Sequence, residues 1–76
     1  MNAFLSRIGE ALYGDPWQQA LAEDMDVNER TVRRWVSGEA LVPVGVWKEL
    51  FIKLDVLRDE IDFLISRAKE KMDTSK

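Results

Sequence analysis

Apolar residues recur at steps of three and four along most of the chain, the spacing that gathers them on one face of an α-helix. Phe4, Leu5, Ile8, Leu12 and Tyr13 form the first such face and predict a helix over Ala3–Tyr13, ended by Gly14. Asp15, Pro16 and Gln18 then read as a helix start. Asp15 is the cap, Pro16 takes the first helical position, where its missing N–H costs little, and Gln18 closes a capping box. The second helix runs from Pro16 to about Met25, with Leu21, Ala22 and Met25 on its apolar face. Asp26 fills a turn and Val27 steps back into the interior. Asn28 caps a third helix whose Val32, Trp35 and Val36 point inward, and Gly38 stops it as a left-handed cap before a loop over residues 39–42.

From Pro43 to about Asp73 the helical period is unbroken, and Gly45 falls in or beside the first turn, where it costs little. Trp47, Leu50, Leu54, Leu57, Ile61, Leu64 and Ala68 alternate steps of three and four, the a and d positions of a heptad. Ile52, Val56 and Phe63 lie off that seam as a second stripe. One short domain buries only one side of such a helix, so the other side calls for a partner, most simply a second copy. Leu54, Leu57, Ile61, Phe63, Leu64 and Ala68 are the candidate dimer residues. The alternative is a pair of helices broken near Asp55, a competent cap, that buries both stripes internally.

With Val32, Trp35 and Val36 turned inward, Glu29, Arg30, Arg33 and Arg34 remain on or near the outer side of the third helix. Residues 17–38 thereby resemble the helix-turn-helix regulators related to phage repressor and Cro proteins, many of them small phage or mobile-element transcription factors. The resemblance extends to about Pro43. It is carried by Gln18, small Ala22, Val27, Asn28, Val32, Trp35, Ser37 and Gly38. The turn position, often glycine in that family because the chain tends to positive φ there, is Asp26. Aspartate tolerates that region better than most residues with a side chain.

The resemblance implies an all-α fold: a compact helix-turn-helix domain of four to five helices over residues 1–76, with the motif at 16–37. The helix or helix pair at 43–73 would dimerise it. It also implies a sequence-specific regulator of transcription that binds double-stranded DNA. The simplest form is a dimeric repressor on an inverted repeat, autoregulatory in a phage or mobile-element operon, with residues 28–37 as the recognition helix. By position in the family pattern Glu29, Arg30 and Arg34 resemble base-facing residues, and Arg33 reaches a base edge or a phosphate. A guanidinium can make two parallel hydrogen bonds to guanine O6 and N7, worth about 1–3 kcal/mol of discrimination. Glu29 either accepts from a cytosine amino group or pairs with Arg33 and orients it. Gln18 resembles the family residue that meets the DNA backbone. Asn28, Thr31, Ser37 and Lys48 are further phosphate candidates, and the amides of Glu29, Arg30 and Thr31 form an open helix N-terminus suited to an anion. Gln18 and Ser37 also have structural readings, in the capping box and at the helix end. The bland reading of the cluster is a solvated charged face, against which stands the choice of three arginines and no lysine.

Charge pulls the other way. The 76 residues carry 11 basic and 14 acidic side chains, a net of −3, whereas proteins held to DNA by bulk charge are basic. Distribution softens the conflict. Residues 28–53 are locally positive through Arg30, Arg33, Arg34, Lys48 and Lys53, and most carboxylates lie outside that stretch. An acidic body with one basic face favours discrimination over raw affinity, although acidic surface also serves solubility. A chain of this length makes one domain near the lower limit for independent folding, where association often adds stability. With no cysteine and no histidine, disulfides and most zinc, haem and iron–sulfur sites are excluded, and no cofactor is expected. No nucleophile–base pair or phosphate-cradling loop points to an enzyme. Glu23, Asp24, Asp26 and Asp55, Asp59, Glu60, Asp62 lack calcium-loop spacing and read as solvated helix faces. Trp17, Trp35 and Trp47 read as core rather than as base-stacking groups. No secretion signal or membrane span is apparent, so a cytoplasmic protein is expected. Two alternatives remain: an antitoxin-type regulator that neutralises a protein partner through its tail, and an adaptor whose motif and acidic surface contact protein.

Overall fold

A computed structural model describes residues 2–74. They form four helices: α1 (Ala3–Tyr13), α2 (Trp17–Asp24), α3 (Glu29–Ser37) and α4 (Val44–Thr74). The described residues are all-α. Asn2 caps α1, its side-chain oxygen accepting the Leu5 N–H at 3.1 Å, while its own N–H donates to the Val36 carbonyl at 2.8 Å. The chain start is thus tied to the end of α3. Gly14 ends α1 at φ 82° and ψ −150°, a conformation essentially restricted to glycine.

The capping box expected at α2 does not form. Pro16 itself occupies the cap position, with no side-chain hydrogen bond to the helix. Asp15 therefore stands one residue too early, and Gln18 has no box to close. The turn after α2 follows its chemistry more closely. Asp26 takes φ 55°, the one positive φ outside glycine among the described residues, and the Val27 N–H returns to the Ala22 carbonyl at 2.9 Å. Asn28 in extended backbone caps α3, accepting the Arg30 N–H at 2.9 Å. Gly38 ends that helix in the left-handed region, at φ 88°.

Leu5, Ile8, Trp17, Leu21, Ala22, Val32, Trp35 and Leu50 make the core. Burying each large side chain contributes roughly 1.5–3 kcal/mol. The Trp17 ring packs on α1 where Gly9 has no side chain, and a Cβ there would come within 2.1 Å of a ring carbon. Trp47 is half-buried, with its ring centroid 6.0 Å from that of Phe4.

A polar clasp joins three helices outside this core. The Tyr13 hydroxyl donates to Asp24 at 2.6 Å and the Lys53 ammonium meets the same carboxylate oxygen at 2.9 Å. Asp24 is held below the usual carboxylate range by the tyrosine hydrogen bond first and by Lys53 second. The bond to Asp24 raises Lys53 above its ordinary value, and burial, then Asp24, raises Tyr13. Asp24 is therefore not a merely solvated carboxylate, and Lys53 faces it rather than adding to the charge around α3.

α4 is one helix. Asp55 does not break it and instead pairs with Arg58 at 2.6 Å, so the second stripe of Ile52, Val56 and Phe63 stays exposed. The helix is about 46 Å long at 1.5 Å per residue, in a molecule extending 55 Å along its long axis. Its seam changes surroundings along the way. Leu50 is 1% exposed, Leu54 and Leu57 are half-buried, and Ile61 and Leu64 are 44% and 53% exposed. Burial is therefore divided along the length of α4, not only around its circumference, because α4 packs on α1 and then runs past the end of the bundle.

Candidate nucleic-acid interface

α3 is fixed from beneath by Val32 and Trp35, both buried. At 100° per residue, Arg30, Arg33, Arg34 and Ser37 fall within an arc of about 100° on the opposite side. Together with Glu39 they line an open concavity of about 540 Å³. A second hollow of about 390 Å³ is lined by Gln18, Arg33, Val36 and Ser37, so the first turn of α2 borders the same surface.

The arginines differ in their partners. Arg30 has no ion pair among the described residues. Arg33 meets Glu29 one turn back at 3.4 Å, as the orienting alternative expected. Arg34 donates through Nε to Glu39 at 3.3 Å. Two of the three guanidinium groups are thus folded on acidic neighbours instead of standing free. The cost of releasing them is small: exposed pairs of this kind contribute about 0.2–1 kcal/mol, less than a good bidentate contact with guanine. Arg34 also keeps its two terminal nitrogens for other acceptors. Glu39 is a carboxylate within the arginine surface that helical spacing does not mark. It arrives there because Gly38 reverses the chain and the Ala40 N–H bonds back to the Arg34 carbonyl at 3.2 Å.

The phosphate candidates separate in the same way. Gln18 is half-buried beside Arg33 and Ser37, and its side chain makes no hydrogen bond among the described residues. Thr31 is half-buried on α3 with its hydroxyl also without such a partner. Asn28 and Ser37 are already engaged. The Asn28 side-chain oxygen holds the Arg30 N–H, and its carbonyl takes the Thr31 N–H at 2.9 Å. Of the three amides expected to be open to an anion, those of Arg30 and Thr31 are thus taken by the cap, and that of Glu29 has no partner among the described residues. The Ser37 hydroxyl donates to the Arg34 carbonyl at 3.1 Å and accepts the Glu39 N–H at 3.4 Å. Lys48 is exposed on the first turns of α4 and lines neither hollow on α3. Trp17 and Trp35 are in the core, away from the arginine side.

Among the described residues no three His, Cys, Asp or Glu side chains converge as for a metal ion, and no helix is long and apolar enough to cross a membrane. The chain matches no protein-family model, and no curated protein or solved structure matches it.

Proposed function

We propose that the chain is a sequence-specific regulator that binds double-stranded DNA, with α2, the Asp26 turn and α3 acting as a helix-turn-helix. α3 would be the helix that enters the major groove, and the protein would work as a dimer on an inverted repeat, most simply as a repressor of the operon that encodes it. The observation that carries this reading is the rigid opposition on α3: Val32 and Trp35 locked in the core, with Arg30, Arg33 and Arg34 on the far side. In this reading Arg30 reads a base edge from the outset. Arg33 and Arg34 exchange their carboxylates for guanine or phosphate on docking, and Gln18 fixes register from the start of α2.

The decisive experiment is selection of bound duplexes from a random pool. A palindromic consensus is expected. On the selected site Arg30→Ala should weaken binding roughly tenfold or more while leaving random duplex little changed. Equal loss on both would refute base readout by this side chain. A protein-binding adaptor is the second reading, favoured by Glu29 and Glu39 on two of the arginines and by the net charge of −3. It predicts no enrichment of any duplex and an unchanged pool.

A further inference from the structure

We infer that the projecting part of α4 pairs with the same segment of a second copy in antiparallel orientation and in a single register, Glu60 facing the partner's Arg67. The inference deepens the dimer proposed above and rests on it.

The occupant is argued from the seam and its flanks. Leu57, Ile61, Leu64 and Ala68 continue the stripe that is buried at Leu50; Leu57 is half-buried, and Ile61, Leu64 and Ala68 beyond it are exposed. With Leu50, Leu57 and Leu64 at d and Leu54, Ile61 and Ala68 at a, the g flank carries Lys53, Glu60 and Arg67 and the e flank Arg58 and Ile65. In an antiparallel pair g faces g and e faces e. Setting Leu57 against the partner's Ala68 and Ile61 against the partner's Leu64 then joins Glu60 to the partner's Arg67, twice by symmetry. The aliphatic stem of Arg58 meets the partner's Ile65, and small Ala68 sits against large Leu57.

Other arrangements juxtapose like charges. Sliding the antiparallel pair by one heptad one way sets Glu60 on the partner's Glu60 and Arg58 on the partner's Arg58. Sliding it the other way sets Arg67 on the partner's Arg67. A parallel pair stacks the two Lys71 side chains on each other at the seam, whereas the antiparallel register sets each beside the partner's Leu54. Juxtaposed like charges weaken a pairing strongly. Glu60 has no ion pair of its own among the described residues, and the Arg67–Glu70 pair at 3.3 Å is exposed and readily exchanged.

The register also has a metric consequence. It separates the two Leu50 residues by about 38 Å along the helix axis, at 1.5 Å per residue.

The test uses the full chain, which contains no cysteine of its own. Its mass in solution is measured by light scattering across concentration, alongside Glu60→Arg, the double variant E60R/R67E, and disulfide trapping of Ala68→Cys and Leu57→Cys. Glu60→Arg should weaken self-association about tenfold or more, and E60R/R67E should restore it. Ala68→Cys alone should not cross-link, whereas its equimolar mixture with Leu57→Cys should. Cross-linking of Ala68→Cys with itself, or indifference of the dimer to Glu60→Arg, overturns the register. Ala68 and Glu60 are exposed, so these variants fold even where Leu57→Cys does not. A monomer at high concentration that still selects one duplex sequence overturns the pairing and leaves base readout intact. A dimer with this cross-linking pattern that selects no duplex supports the register and removes the regulator.

Discussion

The two ends of α4 carry the same alternation of apolar residues and meet opposite surroundings. Near its start Leu50 closes the core beneath α1, whereas two turns past Leu57 the equivalent Leu64 is in water. The difference shows that a hydrophobic seam specifies burial without specifying by what. In the bundle the covering surface comes from the same chain, and the clasp of Tyr13, Asp24 and Lys53 fastens it from outside. Beyond the bundle no described residue from another helix covers the seam, and its side chains add little to the stability of a single copy.

The sharpest contrast is between one leucine from each region. Leu21→Ala in the core should destabilise by about 2–5 kcal/mol, whereas Leu64→Ala should leave the stability of dilute protein within about 0.5 kcal/mol of the parent. Thermal melts followed by circular dichroism at low concentration measure both. A large loss from Leu64→Ala in dilute protein would mean that the distal helix is covered after all.

Gly9→Ala tests the bundle from the opposite direction by adding volume. The new methyl group meets the buried Trp17 ring, and overpacking of this kind costs about 1–3 kcal/mol. Tryptophan fluorescence should shift as the ring is displaced.

The clasp gives a smaller, pH-dependent effect. Asp24 is depressed, so its contribution is present above the ordinary carboxylate range near 4 and lost as pH falls through its lowered value. Tyr13 and Lys53 are raised, so theirs is full below about 10 and lost as pH rises through their raised values. Asp24→Asn should lower the melting temperature at neutral pH and flatten both limbs of its pH profile. An unchanged profile would assign the attachment of α4 to apolar contact alone. The smallest change is Gly45→Ala in the first turn of α4. Open space around the site lets the methyl group in, and a gain of up to about 1 kcal/mol is expected from denaturant titration.

The fold was legible wherever local chemistry sufficed. Periodicity placed α1 and α3 within a residue or so and bounded the last segment while leaving one helix or two open, and the resemblance to helix-turn-helix regulators implied positive φ at Asp26. The failures are tertiary. Tyr13, Asp24 and Lys53 lie far apart in sequence, and only the packing of α1 against α2 and α4 brings them together. Glu39 reaches Arg34 through a chain reversal, outside the three- and four-residue rule for helical pairs. At α2 the residues of a capping box were present, but Pro16 took the position reserved for Asp15. The site was legible as a face, with Arg30, Arg33 and Arg34 together, and illegible as a set of partners, because exposed side chains choose among neighbours separated by fractions of a kcal/mol.

α3 is held by the buried Val32 and Trp35, by partly buried Val36 and by the tie from Asn2 to the Val36 carbonyl. The side chains that hold the helix and those it presents to the outside share no positions, so replacements at 30, 33 and 34 leave the folding equilibrium nearly untouched. In the proposed reading, new specificities can then be sampled one arginine at a time on an unaltered scaffold, and saturating three codons would re-aim the helix.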